Sequence, residues 1–178
     1  MDQATRVVVG VCGTLSGLAA LHRAVAEARA RNATLVPVTA WEPSEADGLR
    51  PLSELEHAAA RHLDHAFEQI CGGYPAGIRI HPVVVRGEAG PALVATADRP
   101  GDVLVFGTGG HRRLQHVLHG SVTRYCKTHA RCRVIVASPS TLLENLALPD
   151  RNGAPLPFLA GDRTIAVPRG MAGAGNSN

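Results

Sequence analysis

The sequence predicts an α/β fold in which five short strands form a parallel sheet with helices on both faces. Three observations carry this. Strand-like runs alternate with stretches of helical periodicity. The runs RVVVGV, DVLVF and RVIVA are short, apolar and rich in β-branched residues, as strands buried on both faces are. Apolar residues make up 45% of the 178 residues but aromatics only 3%, so Val, Leu, Ile and Ala must build the core.

The elements follow in order. Arg6 to Val11 reads as the first strand. Gly13, Thr14, Ser16 and Gly17 form a turn. Leu18, Leu21, Val25 and Ala28 then repeat at three and four residues, predicting a helix over 18–31 that stops at Asn32. Thr34 to Trp41 is the second strand, and Pro37 within it must face a bulge or an edge because it has no N–H to donate. Glu42 to Arg50 reads as a loop. Pro51 to Cys71 has helical spacing and ends at Gly72-Gly73. Ile78 to Arg86 is the third strand, and Gly87 to Gly90 turns the chain. Pro91 suits the first position of a short helix running to about Asp98. Asp102 to Phe106 is the fourth strand. A glycine-rich loop leads to a helix near Ser121–Ala130, and Arg133 to Ala137 is the fifth strand.

Pro139 to Asn178 has a different character, with five prolines and five glycines in its 40 residues. It reads as a tail without a core of its own, so the domain is expected over 1–138 and the tail over 139–178. Within the tail, 141–148 is expected to dock as a helix and 164–167 to add an edge strand.

Composition excludes several classes. The formal net charge is +3, and the single lysine, Lys127, stands among arginines. There is no run of five like charges and there are few rings to stack on bases, which argues against a nucleic-acid binder. No stretch of 18 apolar residues is present, and the N-terminus lacks the apolar core of a signal peptide. A cytoplasmic protein is expected, with no membrane partner. Cys12, Cys71, Cys126 and Cys132 form no CxxC pair and are expected to be free, buried thiols. Cys12, just before a helix, also invites a redox role, because a helix N-terminus lowers a thiol pKa. Cys126, His129 and Cys132 are spaced C-x2-H-x2-C, but the fourth ligand of a structural zinc site is missing, so no metal is expected. His57, His62 and His65 read as part of a solvated helix face.

The segment Gly107 to Thr123, GTGGHRRLQHVLHGSVT, carries the chemistry. Two residues separate Gly107 from Gly110, nine separate Gly110 from Gly120, and Ser121 comes next. Glycines let backbone N–H groups turn inward and approach closely, and a helix start adds free N–H groups and a partial positive charge. Ser121, Val122 and Thr123 are therefore candidate anion ligands. The same residues also fit a plain turn in which Ser121 acts as an N-cap. Neither a Walker A loop nor a GxGxxG fingerprint is present.

These residues resemble the universal stress protein family, whose nucleotide-binding members carry G-x2-G-x9-G-[S/T]. Gly107, Gly110, Gly120 and Ser121 match it in full. VVVGVxGTxxG, LVPVTAW, VVVRGEAGPALV and DVLVFGTGG agree, and CKTHARCRVIVAS looks like actinobacterial members. The resemblance spans residues 5 to 138. It implies a doubly wound, Rossmann-like sheet of the adenine nucleotide alpha hydrolase-like kind, dimerising through the last strand, Arg133 to Ala137. It implies ATP as ligand, with or without Mg. Gly107 and Gly110 would lie under the ribose and phosphates, and Gly120, Ser121, Val122 and Thr123 would bind the phosphates. Phe106 and Ala40 would border the adenine and ribose, and Gly10 would sit beside the base. Family members usually carry an Asp where this chain has Cys12. A thiol neither accepts hydrogen bonds as strongly nor helps hold a metal as well, which predicts weak ATP binding or a different nucleotide.

No catalytic motif is found, so the expected role is a nucleotide-binding regulatory module in a stress response, not an enzyme. Two rivals are a nucleotide-independent interaction protein and a slow ATPase.

Overall fold

The computed structural model describes residues 5–108, 122–140 and 142. Its strands are β1 (Arg6–Gly10), β2 (Thr34–Trp41), β3 (Val83–Arg86), β4 (Val103–Gly107) and β5 (Arg133–Ala137). They pair in parallel in the order β3-β2-β1-β4-β5. The helices are α1 (Leu15–Arg31), α2 (Leu52–Cys71), α3 (Ala89–Thr96) and α4 (Val122–His129). The chain thus steps outward from β1 to β2 and β3, then crosses back to β4 and β5. The direction reverses between β1 and β4, and there the α1–α2 and α3–α4 pairs cover opposite faces. This is the doubly wound fold that the strand and helix pattern predicts.

The period of two along each strand sorts the core. Val8, Val36, Val38, Leu104 and Phe106 pack with Leu93, Ala97 and Cys126 in one cluster. Their odd-numbered neighbours, such as Val7, Val9, Leu35 and Val105, are fully buried on the α1–α2 side. At the amino end of the sheet, Arg6 bonds both oxygens of the buried Asp102, Nη2 to Oδ2 at 2.5 Å and Nε to Oδ1 at 3.1 Å. It also reaches Asp98 and the Thr96 carbonyl. Arg6 thereby ties β1 to the loop that leads into β4.

Several boundaries differ from expectation. Helix α1 starts at Leu15, three residues early, because Thr14 caps it by accepting from Gly17 N at 3.2 Å. Helix α3 starts at Ala89, which puts Gly90 and Pro91 in its first turn, where a missing N–H costs little. It ends at Thr96. The expected loop at 42–50 holds a short 3-10 turn, Glu45–Asp47. Strand β3 shrinks to Val83–Arg86, with an isolated bridge from Ile80 to Leu35.

Pro37 lies in an inner strand, opposite Val9. Leu35 makes both its bonds toward the β3 side, to Arg79 and His81. By alternation Pro37 aims its nitrogen the same way, into the gap between the Ile80 bridge and the start of β3. The register is the same on either side, so no bulge forms; the ladder is interrupted instead.

Asn32, with φ 49°, and Gly72, with φ 69°, cap α1 and α2 in the left-handed conformation as expected. Of the cysteines only Cys126 is buried; Cys12 and Cys71 are exposed and Cys132 is intermediate. This corrects the expectation of four buried thiols, and Cys12 in particular is open because it stands in the turn beyond the end of β1. No helix among the described residues is long and apolar enough to cross a membrane. Of the tail segments at 141–148 and 164–167, all but Leu142 lie outside the described residues; Leu142 is 5% exposed, beside Ala19 and Val136.

Candidate functional site

The β1–β4 ladder stops at Val9 and Val105, and beyond it the two strand ends frame a cleft. Gly10, Cys12, Ala40, Phe106, Gly107 and Val122 all border this cleft, whose volume is about 280 Å³. It sits at the carboxyl ends of the strands, at the switch point, where open α/β sheets place their ligands. Six residues singled out in the sequence are thus gathered in one place. Thr123, one residue along α4, does not border it. Gly110, Gly120 and Ser121 lie outside the described residues.

Glycines create the opening. Gly10 faces Leu93, whose Cδ1 lies 3.0 Å from where a Cβ would stand. Gly107 lies against the backbone of Ser16, and a Cβ there would overlap the Ser16 carbonyl. Only glycine lets the end of β4 and the first turn of α1 come this close.

The walls are apolar. Val38 and Ala40 share a face of β2, while Leu93 and Ala89 sit one turn apart on α3. Val38, Ala89 and Leu93 were not singled out in the sequence. Val38 was recoverable from Ala40 by the period of two; the α3 residues needed the packing of α3 on the sheet.

One edge of the cleft is polar. Cys12 Sγ lies 3.1 Å from Thr14 Oγ1, which lies 2.9 Å from Ser16 Oγ. Thr14 Oγ1 already accepts from Gly17 N, so it has one lone pair and one proton left for its two neighbours. Whichever way the chain runs, one end keeps an uncommitted proton: Ser16 O–H in one direction, Cys12 S–H in the other. A carboxylate at position 12 would only accept. No carboxylate or cation borders the cleft among the described residues.

Other candidates separate. Cys126 is fully buried, burial pushes its thiol up to about 11, and its Sγ faces the Gly90 carbonyl at 3.9 Å. His129 is exposed and stacks on Tyr125. No group of three metal-ligating side chains forms among the described residues. His62 stands at a second cleft, near Gly13.

Residues 4–138 match the profile of the universal stress protein family. The chain belongs to that family. No curated protein matches it. Among solved structures, the universal stress protein UspA from Lactobacillus plantarum is 26% identical with a TM-score of 0.56, the alignment covering 77% of this chain and 99% of that one. A universal stress protein crystallised in complex with cAMP is 29% identical, with a TM-score of 0.51, over 76% of this chain and 97% of that one. The universal stress protein from Archaeoglobus fulgidus, at 22% identity and a TM-score of 0.52, shares the fold over 77% of this chain and 99% of its own.

Proposed function

We propose that this universal stress protein binds an adenine nucleotide, ATP, in the cleft between β1 and β4, and that it belongs to the ATP-binding branch of the family. The observation that carries this is the convergence of Gly10, Ala40, Phe106, Gly107 and Val122 on one apolar cleft at the switch point. Its apolar walls suit a heterocyclic base, and the Cys12–Thr14–Ser16 chain offers polar contacts at its edge. Val122 opens α4, directly after Gly120 and Ser121 of the glycine signature, so phosphates would be met by main-chain amides at a helix start. The relative crystallised with cAMP supports an adenine ligand.

The role is regulatory and not enzymatic. No general base or metal-holding carboxylate borders the cleft among the described residues, and ATP turnover would be slow. The working form is a cytoplasmic homodimer paired through β5, whose outer edge ends the sheet.

Calorimetric titration of the full chain with ATP tests the reading. Saturable binding is expected, and Ala40→Leu, which fills the cleft, should weaken it about tenfold. Absence of heat at millimolar ATP, or unchanged affinity in a folded Ala40→Leu variant, overturns it.

A further inference from the structure

Charge is spread unevenly along the chain. Between Asp102 and Glu144 there is no acidic residue, although the sequence holds 15 of them. Six of its 18 basic residues fall in that interval: Arg112, Arg113, Arg124, Lys127, Arg131 and Arg133. We propose that α4, with the residues leading from it into β5, is a docking surface for an acidic helical segment of a partner protein.

The last four of these cations lie among the described residues, and all four are exposed. None of their side chains takes part in an ion pair there. Other cations of the chain do find acids. On α1, Arg23 and Arg31 both hold Glu27, and Arg50, just before α2, lies 3.3 Å from Asp47 and 3.6 Å from Glu54.

Packing turns the α4 charges outward together. Cys126 is the residue of α4 that enters the core, while Tyr125 closes on Gly90 of α3 and stacks on His129. By the helical period, Arg124, Lys127 and Thr128 then stand on the open side. Arg131 and Arg133 carry the charge past the helix end.

Spacing and surroundings choose the partner. Three residues of helix set Arg124 and Lys127 about 4.5 Å apart along the axis. A second helix with Glu or Asp at every third or fourth position repeats at a similar interval, so several pairs can form in register. A membrane would find little to hold, because Val122, at 39%, is the one exposed large apolar residue of α4. A single-stranded nucleic acid needs free rings, and the two rings of α4 are stacked on each other. This inference does not depend on nucleotide binding.

Fluorescence anisotropy of a fluorescein-labelled helical peptide of Ala and Glu, titrated with the full chain at low salt, tests it. Saturable binding is expected, and it should weaken as salt rises. Lys127→Glu should weaken it about fivefold, since a repulsion replaces an attraction, and Lys127→Gln about twofold. Arg61 is exposed on α2, on the other face of the sheet. Arg61→Glu makes the same change in net charge as Lys127→Glu and should leave the affinity unaltered. The proposal is overturned by absence of saturable binding, by undiminished affinity in Lys127→Glu, by equal weakening in Arg61→Glu, or by tighter binding of phosphatidylserine vesicles or a single-stranded oligonucleotide than of the peptide.

Discussion

Gly107 at the end of β4 rests on the backbone carbonyl of Ser16 in the first turn of α1, with no space for a single added carbon. The contact holds a strand end against a helix start at the mouth of the cleft between β1 and β4. Gly107→Ala must push the two apart. The expected loss of stability is about 2 kcal/mol, read from urea unfolding, together with weaker ATP binding. Wild-type stability in this variant would mean that the close approach is absent in solution.

Asp102 is 1% exposed at its side chain and accepts two bonds from Arg6 and one from Arg99 N. Asp102→Ala leaves a partly buried guanidinium short of its main partner, and should cost about 3 kcal/mol. Removing Arg6 as well, in Arg6→Leu/Asp102→Ala, should cost less than the two single changes added together, because no orphaned charge remains. Simple additivity in denaturation curves would refute the pairing.

Glu27 accepts from Arg31 Nε at 2.9 Å and from Arg23 Nη2 at 2.6 Å. The Arg31 bond first, then the Arg23 bond, hold its carboxyl below the ordinary value of 4.5. A depressed folded pKa stabilises the protein above the unfolded value, and that contribution disappears as pH falls through the folded value. Glu27→Gln should therefore lower the melting temperature at neutral pH and flatten its decline in acid below 4.5. An acid limb as steep as the wild type's would assign the effect to other carboxylates.

Cys12 is exposed beside Thr14, whereas Cys126 is buried with its thiol raised to about 11. Iodoacetamide should modify Cys12 in the native protein and reach Cys126 only after denaturation. Saturating ATP should slow modification at Cys12, which borders the cleft. Peptide mass spectrometry reads both sites. Early labelling of Cys126 would contradict the packing of α4, and an ATP-insensitive Cys12 would count against a nucleotide in the cleft.

Much of the frame was legible because its signals are local. Apolar runs such as RVIVA mark strands wherever they fall, and Asn32 and Gly72-Gly73 end helices by their own backbone preferences. Helix starts were harder. The Thr14 cap and the tolerance of Pro91 inside a first turn depend on hydrogen bonds that composition does not display. The openness of Cys12 was missed for a similar reason, since exposure depends on where the turn after β1 points.

By itself, then, the sequence determined a parallel α/β sheet, its five strands, and a glycine signature beside a helix start, because strand and helix periodicities are written within a few residues. Tertiary structure alone decided which residues meet. It put Leu93 opposite Gly10, set Gly107 against Ser16, and gathered Val38, Ala40 and Phe106 around one cleft. Such contacts join segments far apart in the chain, and they exist only once the crossover from β3 to β4 has brought both halves of the sheet to either side of β1.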